Sequence, residues 1–282
     1  MAHGGLEYVL LLDDWTTYPG IPYRQGAFAM SLAIGYRNVS RRFGVTQALA
    51  SINFEVAAGE FVALVGPSGC GKSTLLRLAA DLDQPSTGTV HIGDQPPSEA
   101  RRQLKIGLVS QRPAVLPWKR AVEDVRVTQR ITRRNQFDAA ALLADFGLGE
   151  HQMKLPRQLS GGMLQRVNFA SAIAHDPDVL LMDEPFSALD EMKREELGIW
   201  LGETLRRRPK TTLFVTHHID EAVMLADRVL VFSPAPGRII ADIAVETPRP
   251  RRADFRADPK FVELTARIRH LLFDTPFQVM TA

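Results

Sequence analysis

The 282-residue sequence predicts an α/β fold in which helices surround a buried parallel sheet. Three observations support this class. Short apolar runs bounded by glycine or polar residues recur along the chain, helical patterns alternate with them, and 45% of the residues are hydrophobic. Because ligands of open α/β sheets bind at the carboxyl ends of the strands, the functional side chains are expected at that edge.

The first element is a strand followed by a glycine-rich loop and a helix. Residues 60–65 form a short apolar run, and a helical pattern begins at Ser73. The loop between them fits G-x-x-x-x-G-K-[ST], and the flanking strand and helix are the context in which this pattern forms a phosphate-binding loop, or P-loop. The predicted phosphate-binding residues are Gly66, Pro67, Ser68, Gly69, Cys70, Gly71, Lys72, Ser73 and Thr74.

This P-loop is expected to bind ATP together with Mg²⁺. Its glycines let backbone N–H groups turn towards phosphate oxygens, and the helix N-terminus adds partial positive charge. Lys72 is expected to reach the β- and γ-phosphates, and the Ser73 hydroxyl to ligate Mg²⁺. The alternative is an ordinary glycine turn with a surface lysine.

Two later strands end in ionisable side chains. Residues 179–182 precede Asp183 and Glu184, and residues 211–216 precede His217. Asp183 is placed to hold Mg²⁺, directly or through water, and Glu184 to orient or deprotonate the attacking water. His217 is expected to contact the γ-phosphate and keep the water in line. The alternative is a set of solvated strand-end side chains.

Two further features are candidate phosphate-sensing elements. Gln111 follows the apolar stretch 106–110, and its amide can bind Mg²⁺ or water, although most strand-end glutamines are simply solvated. Ser160, Gly161 and Gly162 precede a helical pattern, so the serine can cap the helix while the glycines leave amides free for an anion. Two phosphate sites far apart in one chain favour ATP held between two chains.

These motifs, in this order, resemble the ATP-binding subunits of ATP-binding cassette (ABC) transporters. Leu159-Ser160-Gly161-Gly162 with Gln165 matches the signature motif of that family, and the resemblance covers about residues 31–250. It implies a RecA-like P-loop NTPase core with an antiparallel β subdomain and an inserted helical subdomain. The expected domains are an N-terminal extension (1–30), the ATPase domain (31–247, with the helical insertion at about 111–175) and a C-terminal linker and helix (248–282).

The resemblance also implies roles and partners. Phe43 would stack on adenine, Gln111 would belong to the coupling loop, and His217 would be the switch histidine. Ser160, Gly161 and Gly162 would bind the γ-phosphate held by the opposite subunit, and loop 187–190 would link the two sites. The implied assembly is a homodimer with two integral-membrane permease subunits and, indirectly, a periplasmic or extracellular solute-binding protein. It would lie peripherally on the cytoplasmic face of the inner membrane.

Three stretches resemble importer subunits of the nitrate, sulfonate and taurine type. They are residues 111–118, which contain Leu-Pro-Trp, residues 182–190, and residues 233–239 with 248–251. The expected function is an ATPase that drives uptake of a small anion such as nitrate, an alkanesulfonate or taurine. The alternatives are the motor of an ABC exporter or lipid-transport system, a soluble ABC ATPase of translation or DNA repair, and a P-loop nucleotide kinase, which would not need the signature.

The sequence departs from the family pattern without losing a predicted catalytic group. Asp81, Leu155, Ser171 and His218 stand where relatives commonly carry glycine, tyrosine, arginine and aspartate. The serine at position 171 is expected to weaken dimer or helical-subdomain contacts.

Charge, cysteine content and hydropathy exclude other classes. The formal net charge of +2 shows no general nucleic-acid signature, and a single cysteine excludes an internal disulfide. The arginines at 206–208 and 249–256 are interpreted as solvated faces rather than membrane contacts. No apolar run reaches the roughly 18 residues of a membrane span, and residues 8–12 lack the basic flank of a signal peptide. Residues 261–273 predict an amphipathic C-terminal helix.

Overall fold

The computed structural model describes residues 31–134, 137–187 and 189–273. The N-terminal extension expected at residues 1–30 and one residue of loop 187–190 lie outside this part of the chain. The strands are β1 (Ile34–Phe43), β2 (Thr46–Val56), β3 (Phe61–Val65), β4 (Thr87–Ile92), β5 (Ile106–Val109), β6 (Val179–Asp183), β7 (Thr211–Val215), β8 (Arg228–Phe232) and β9 (Ile239–Ala244). The α-helices are α1 (Lys72–Ala79), α2 (Pro97–Arg102), α3 (Ala121–Thr132), α4 (Ala139–Asp145), α5 (Gly161–Ile173), α6 (Glu191–Arg207), α7 (Ile219–Leu225) and α8 (Pro259–Phe273).

The strands form two sheets. A six-stranded sheet has the order β5-β6-β7-β3-β8-β9 and is parallel except for β9, and a three-stranded antiparallel sheet has the order β2-β1-β4. Strands β3 and β7 are buried along their whole length, which explains why neither sequence alternates between apolar and charged residues: β3 is entirely apolar, and β7 has two buried threonines before its apolar residues. The predicted α/β class with an antiparallel β portion is confirmed.

The order of the large sheet brings the predicted site residues to one edge. β5, β6, β7 and β3 are consecutive neighbours and run parallel, so their carboxyl ends lie side by side. The segments that follow these ends contain Gln111, Glu184, His217 and the P-loop in turn. The backbone N–H of Glu184 donates to the carbonyl of Val215 at 2.9 Å, which fixes the β6 end against the β7 end.

The sheet separates two hydrophobic clusters. Along β3, Phe61, Ala63 and Val65 belong to one cluster, while Val62 and Leu64 belong to the other. This alternation is the period-two geometry of a strand that is covered on both faces. Helices α3 to α8 pack on the first face, and α1 with the antiparallel sheet packs on the second, so the P-loop helix is supported by both sheets.

Helix capping explains where α4 and α5 begin. The sequence pattern predicts helices at 137–146 and 163–174, whereas α4 begins at Ala139 and α5 at Gly161. The Asp138 carboxylate accepts from the N–H of Ala141 at 2.9 Å, and the Ser160 hydroxyl accepts from the N–H of Met163 at 3.3 Å. Both residues are therefore N-caps, which lie one position outside the helix. The domain boundaries at 31, 111, 175 and 247 stay a prediction.

Asp81 follows α1 with φ 55°, in the left-handed region that glycine adopts freely. The Asp81 carboxylate accepts from Arg101 Nε at 2.8 Å and from Gln84 Nε2 at 3.0 Å. These contacts stabilise the strained turn without glycine.

The C-terminal segment is anchored by Arg251, which is 5% exposed. One guanidinium nitrogen, Nη1, donates to the carbonyls of Val223, Met224 and Ala226 at 2.8–3.2 Å, where α7 ends. These carbonyls have no partner within their own helix, so the arginine satisfies groups that would otherwise be buried and unpaired. The interpretation of residues 249–256 as a solvated face is wrong for this residue. The predicted C-terminal helix is confirmed as α8, which contacts α7 and β8.

Within residues 31–134, 137–187 and 189–273, no helix combines the length and the apolar character required for a membrane span.

Candidate active site

The P-loop wraps around the Lys72 ammonium group. Lys72 Nζ donates to the carbonyls of Gly66 and Pro67, each at 2.8 Å, and lies 3.6 Å from Cys70 Sγ. Lys72 is 5% exposed, and these contacts within the described chain include no carboxylate. A buried ammonium with no carboxylate in direct contact is costly, so the loop presents positive charge that an anionic ligand would help to neutralise. The loop therefore fits a phosphate group.

Space and backbone geometry both require glycine at position 71. Gly71 has φ 97° and precedes the first residue of α1. A Cβ there would lie 2.5 Å from Leu49 Cδ2, which belongs to the antiparallel sheet. The turn can therefore bring its amides to the helix N-terminus, as anion binding needs, only without a side chain.

Gly237 packs against the P-loop backbone at Cys70, a contact that the sequence pattern did not indicate. Its N–H donates to the Ala48 carbonyl at 2.9 Å, and its carbonyl accepts from the Ala50 N–H at 3.0 Å. A Cβ at position 237 would lie 1.9 Å from the Cys70 carbonyl oxygen, so only glycine fits. The sequence signal was the Pro-Gly-Arg turn, which was interpreted only as a marker of the importer subgroup.

Ser73 and Asp183 form a set of oxygen atoms suited to Mg²⁺. The Ser73 hydroxyl donates to Asp183 Oδ1 at 2.7 Å. Burial raises the pKa of Asp183, and the hydrogen bond from Ser73 opposes this shift. A divalent cation at this place would stabilise the ionised carboxylate and accept both groups as ligands. No cluster of three or more His, Cys, Asp or Glu side chains suited to a metal occurs in the described ranges, so phosphate and water would complete such a site.

Glu184 lies at the centre of three predicted site residues. Its Oε2 is 3.1 Å from Gln111 Nε2, which donates to it, and 3.3 Å from His217 Nδ1. The Glu184 and His217 side chains are 22% and 46% exposed, so water can reach the group. The structure brings the Gln111 amide to Glu184, and its role as a Mg²⁺ ligand stays a prediction.

The backbone at Glu184 is strained. Its φ of 43° lies in the left-handed region, which costs a non-glycine residue about 1–3 kcal/mol. The hydrogen bond from its N–H to the Val215 carbonyl compensates part of this cost. The residue in this strained conformation is the one whose side chain contacts both Gln111 and His217.

His218 packs against His217. The two ring centroids of His217 and His218 are 4.0 Å apart. Burial first, and the neighbouring His217 second, lowers the pKa of His218 to about 4. The His218 ring is therefore neutral at pH 7 and adds no charge beside Glu184.

Glu221 is a buried carboxylate near the site that sequence reasoning missed. Its Oε2 accepts from Thr216 Oγ1 at 2.5 Å, and its Oε1 lies 3.2 Å from Arg194 Nε. Burial raises the pKa of Glu221 to about 7, against the hydrogen bond from Thr216 and the charge of Arg194. In the sequence this residue looks like an ordinary acid in a first helical turn, so no pattern distinguishes it.

The signature residues expose a helix N-terminus. Ser160 and Gly161 are exposed and Gly162 is half-buried, so the first amides of α5 face outwards. In the described chain, no hydrogen bond or ion pair joins these residues to the P-loop. The two candidate phosphate sites are therefore not connected within one copy.

Phe43, the predicted adenine-stacking residue, lies at the end of β1, in the antiparallel sheet that packs against the P-loop. It pairs with Thr46 of β2, the strand that also carries Leu49. The ring is 48% exposed, and the Arg41 guanidinium lies 4.5 Å from its centroid. An exposed ring face is available for a base.

Ser171 forms a contact that its departure from the family pattern did not suggest. Its hydroxyl donates to Asp124 Oδ2 at 2.8 Å, while Asp124 Oδ1 accepts from the N–H of Leu116 at 2.9 Å. α5 is thus linked through α3 to the loop after Gln111. Ser171 thus contributes a contact inside the helical region, and its expected weakening of dimer or subdomain contacts relative to arginine stays a prediction.

The fold and site together define a P-loop nucleotide hydrolase. Comparisons with known proteins identify its family. A family model described as ABC transporter matches residues 49–187. A Brucella abortus protein named as an ATP-binding protein is 40% identical over 250 residues, covering 86% of this chain and 95% of that protein. The aliphatic sulfonates import ATP-binding protein SsuB 2 of Pseudomonas aeruginosa is 41% identical over 245 residues, covering 87% and 86%.

Solved structures agree with this result. A dimeric structure of the bacterial ABC transporter cassette MJ0796 has a TM-score of 0.66 at 30% identity, covering 76% of this chain and 100% of that one. A post-hydrolysis structure of that cassette with ADP and Pi has a TM-score of 0.65. The chain belongs to the ABC transporter family of ATP-binding proteins and is an ATPase, and the predicted P-loop NTPase fold class is confirmed.

Proposed function

We propose that the protein is the ATP-hydrolysing motor of an ABC importer that takes up a small anion. The observation that carries the hydrolytic part is the position of Glu184 between Gln111 and His217, beside the P-loop. The import part is supported by the relatives named for aliphatic sulfonate import. An alkanesulfonate is therefore the first candidate substrate, with nitrate and taurine as the others.

Within one copy, different residues bind ATP and hydrolyse it. Lys72 and the P-loop amides bind the β- and γ-phosphates of ATP, and Phe43 stacks on the adenine. Ser73, Asp183 and Gln111 would hold Mg²⁺, which would supply charge neutralisation at the phosphates. Glu184 orients or deprotonates the attacking water, and His217 keeps Glu184 and the water in line with the γ-phosphate.

The second phosphate contact comes from another copy of the chain. The support is that Ser160 and Gly161 are exposed and have no bond to the P-loop of their own copy. The MJ0796 cassette, which matches over most of this chain, forms a dimer. In the proposed homodimer, Ser160, Gly161 and Gly162 of each copy bind the γ-phosphate held by its partner, so closure depends on ATP.

Mixed dimers test this arrangement. Ser160→Asp keeps a good helix cap but places negative charge against the γ-phosphate. With Lys72→Ala in one copy and Ser160→Asp in the other, one shared site stays intact, whereas both changes in the same copy impair both sites. We expect the split dimer to hydrolyse ATP about tenfold faster than the same-copy dimer, measured on dimers purified with two tags.

The matched control is Ser160→Asn, which caps the helix without a charge, so the split and same-copy dimers should hydrolyse ATP at about the same rate, that of a dimer with Lys72→Ala in one copy alone. Faster hydrolysis by the same-copy dimer would mean that each site is built within one chain, and the shared-site proposal would fail.

The membrane partners are proposed to contact the loop after Gln111. Trp118 in this loop is 69% exposed, and the loop is tied to α5 through Asp124 and Ser171. A movement at Gln111 can therefore reach an exposed aromatic side chain through rigid elements. The protein would lie on the cytoplasmic face of the membrane against two permease subunits, and a periplasmic or extracellular solute-binding protein would deliver the substrate.

Co-purification tests the transport proposal. The Glu184→Gln chain, tagged and solubilised from membranes with ATP, is expected to bring down a multi-span permease, because slow hydrolysis keeps the closed dimer. The same preparation from a chain that also carries Trp118→Asp should yield less permease. Recovery of ribosomes or DNA-repair proteins instead would overturn the transport proposal while leaving the ATPase assignment intact.

A further inference from the structure

A row of polar contacts joins the residues around His217. Arg194 Nη2 donates to the Leu189 carbonyl at 2.9 Å, and Arg194 Nε lies 3.2 Å from Glu221 Oε1. Glu221 Oε2 accepts from Thr216 Oγ1, which in turn accepts from the N–H of His218 at 3.0 Å. The row thus links α6, α7 and the turn after β7.

Burial makes this row energetically significant. Thr216 and Glu221 are 1% and 8% exposed, and the Arg194 side chain is 21% exposed. A buried carboxylate is stable only when it is paired and hydrogen-bonded. Glu221 meets both conditions through partners on two different elements, so removing one partner affects the position of the other.

The histidine that approaches Glu184 is His217, and both of its neighbours in the chain belong to this row of contacts. His217 lies between Thr216, whose hydroxyl is held by Glu221, and His218, whose N–H is held by Thr216. The orientation of the Thr216 hydroxyl, a donor on one side and an acceptor on the other, therefore shapes the turn that carries the His217 ring. The ring reaches Glu184 Oε2 with its Nδ1 at 3.3 Å.

We propose that Arg194 and Glu221 are positioning residues, which hold the 216–218 turn through Thr216 so that His217 stays in register with Glu184. The inference rests on the proposed role of His217 in hydrolysis. Arg194 also holds the carbonyl of Leu189, in the loop that follows Glu184. The Arg194 guanidinium thus connects the loop after Glu184 with the 216–218 turn through Glu221.

A double-mutant cycle on the full chain tests the proposal. The variants are His217→Ala, Glu221→Ala and the double variant, with kcat and KM for ATP hydrolysis and the urea midpoint measured for each. We expect Glu221→Ala to lower kcat about tenfold while changing KM less than about twofold, and to have almost no further effect on kcat once His217 is absent.

Thr216→Val provides a second test that does not remove a buried charge. It keeps the shape of the side chain and deletes the hydroxyl, so it should lower kcat as Glu221→Ala does and be non-additive with it. The matched control is Thr212→Val, in the buried strand β7 that leads to Thr216, whose hydroxyl donates only to the Lys210 carbonyl in the described structure. This control should leave kcat unchanged.

The outcomes separate the two proposals. Additive losses in kcat from Glu221→Ala and His217→Ala, or equal losses from Thr216→Val and Thr212→Val, would overturn the positioning role while His217 keeps its own. Normal hydrolysis by His217→Ala would overturn the proposed role of His217, and with it this inference. Partial recovery of kcat in Glu221→Gln, whose amide oxygen can still accept from Thr216, would support the proposal.

Discussion

Replacing Glu184 with glutamine is expected to lower kcat for ATP hydrolysis by about 10²–10⁴-fold while leaving ATP affinity nearly unchanged. Glutamine has the size of glutamate and can still form hydrogen bonds with Gln111 and His217, so the geometry around it persists. It cannot take a proton from water. The loss would therefore report the chemistry of the carboxylate instead of a disturbed fold.

The measurement is single-turnover hydrolysis together with equilibrium binding of ATP. Glu203→Gln is a matched control, because Glu203 is an acid of α6 that pairs with Arg206 away from the site. The control should hydrolyse ATP at the normal rate. A normal rate in the Glu184→Gln chain itself would disprove the assignment of the general base.

The Lys72→Ala chain is expected to bind ATP about 10–100-fold more weakly, since a charge-assisted hydrogen bond contributes roughly 1.5–3 kcal/mol. In the structure Lys72 Nζ is held by the carbonyls of Gly66 and Pro67 and lies 5% exposed in the P-loop. Alanine removes the one positive side chain of the loop, whereas the backbone amides remain. Some affinity should therefore survive.

Fluorescent-nucleotide titration measures this loss, and urea unfolding shows whether the fold has changed. Lys260→Ala removes an exposed lysine from α8 and should alter neither quantity. If Lys72→Ala bound ATP as tightly as the unchanged chain, the ammonium group would not contact the phosphates. A lower urea midpoint with equal affinity would indicate a structural role in closing the P-loop.

Much of the fold follows from local sequence. β3, β6 and β7 match the predicted strands within one residue, because buried parallel strands are short runs made up mostly of apolar residues. Helix starts follow less directly from the apolar pattern. α5 begins two residues before the apolar pattern does, since the first turn is defined by the Ser160 cap and not by side-chain hydrophobicity.

The site was predictable to the extent that motifs mark it. Glycine spacing identified the P-loop, and strand-end position identified Asp183, Glu184 and His217. Nothing local distinguished Glu221 from other acids at the start of a helix, or Arg251 from other arginines in a basic run. Their importance comes from partners distant in sequence, such as Arg194 for Glu221 and the α7 carbonyls for Arg251.

The sequence by itself determined the class of this protein, because phosphate binding needs glycines, a lysine and a helix start at fixed spacing. It also determined which strands carry the reactive groups. Only the tertiary structure decided that β5, β6, β7 and β3 stand in that order, so that Gln111 and His217 meet at Glu184. Strand order, the strained φ of Glu184 and the burial of Glu221 depend on packing between distant segments, which no local pattern encodes.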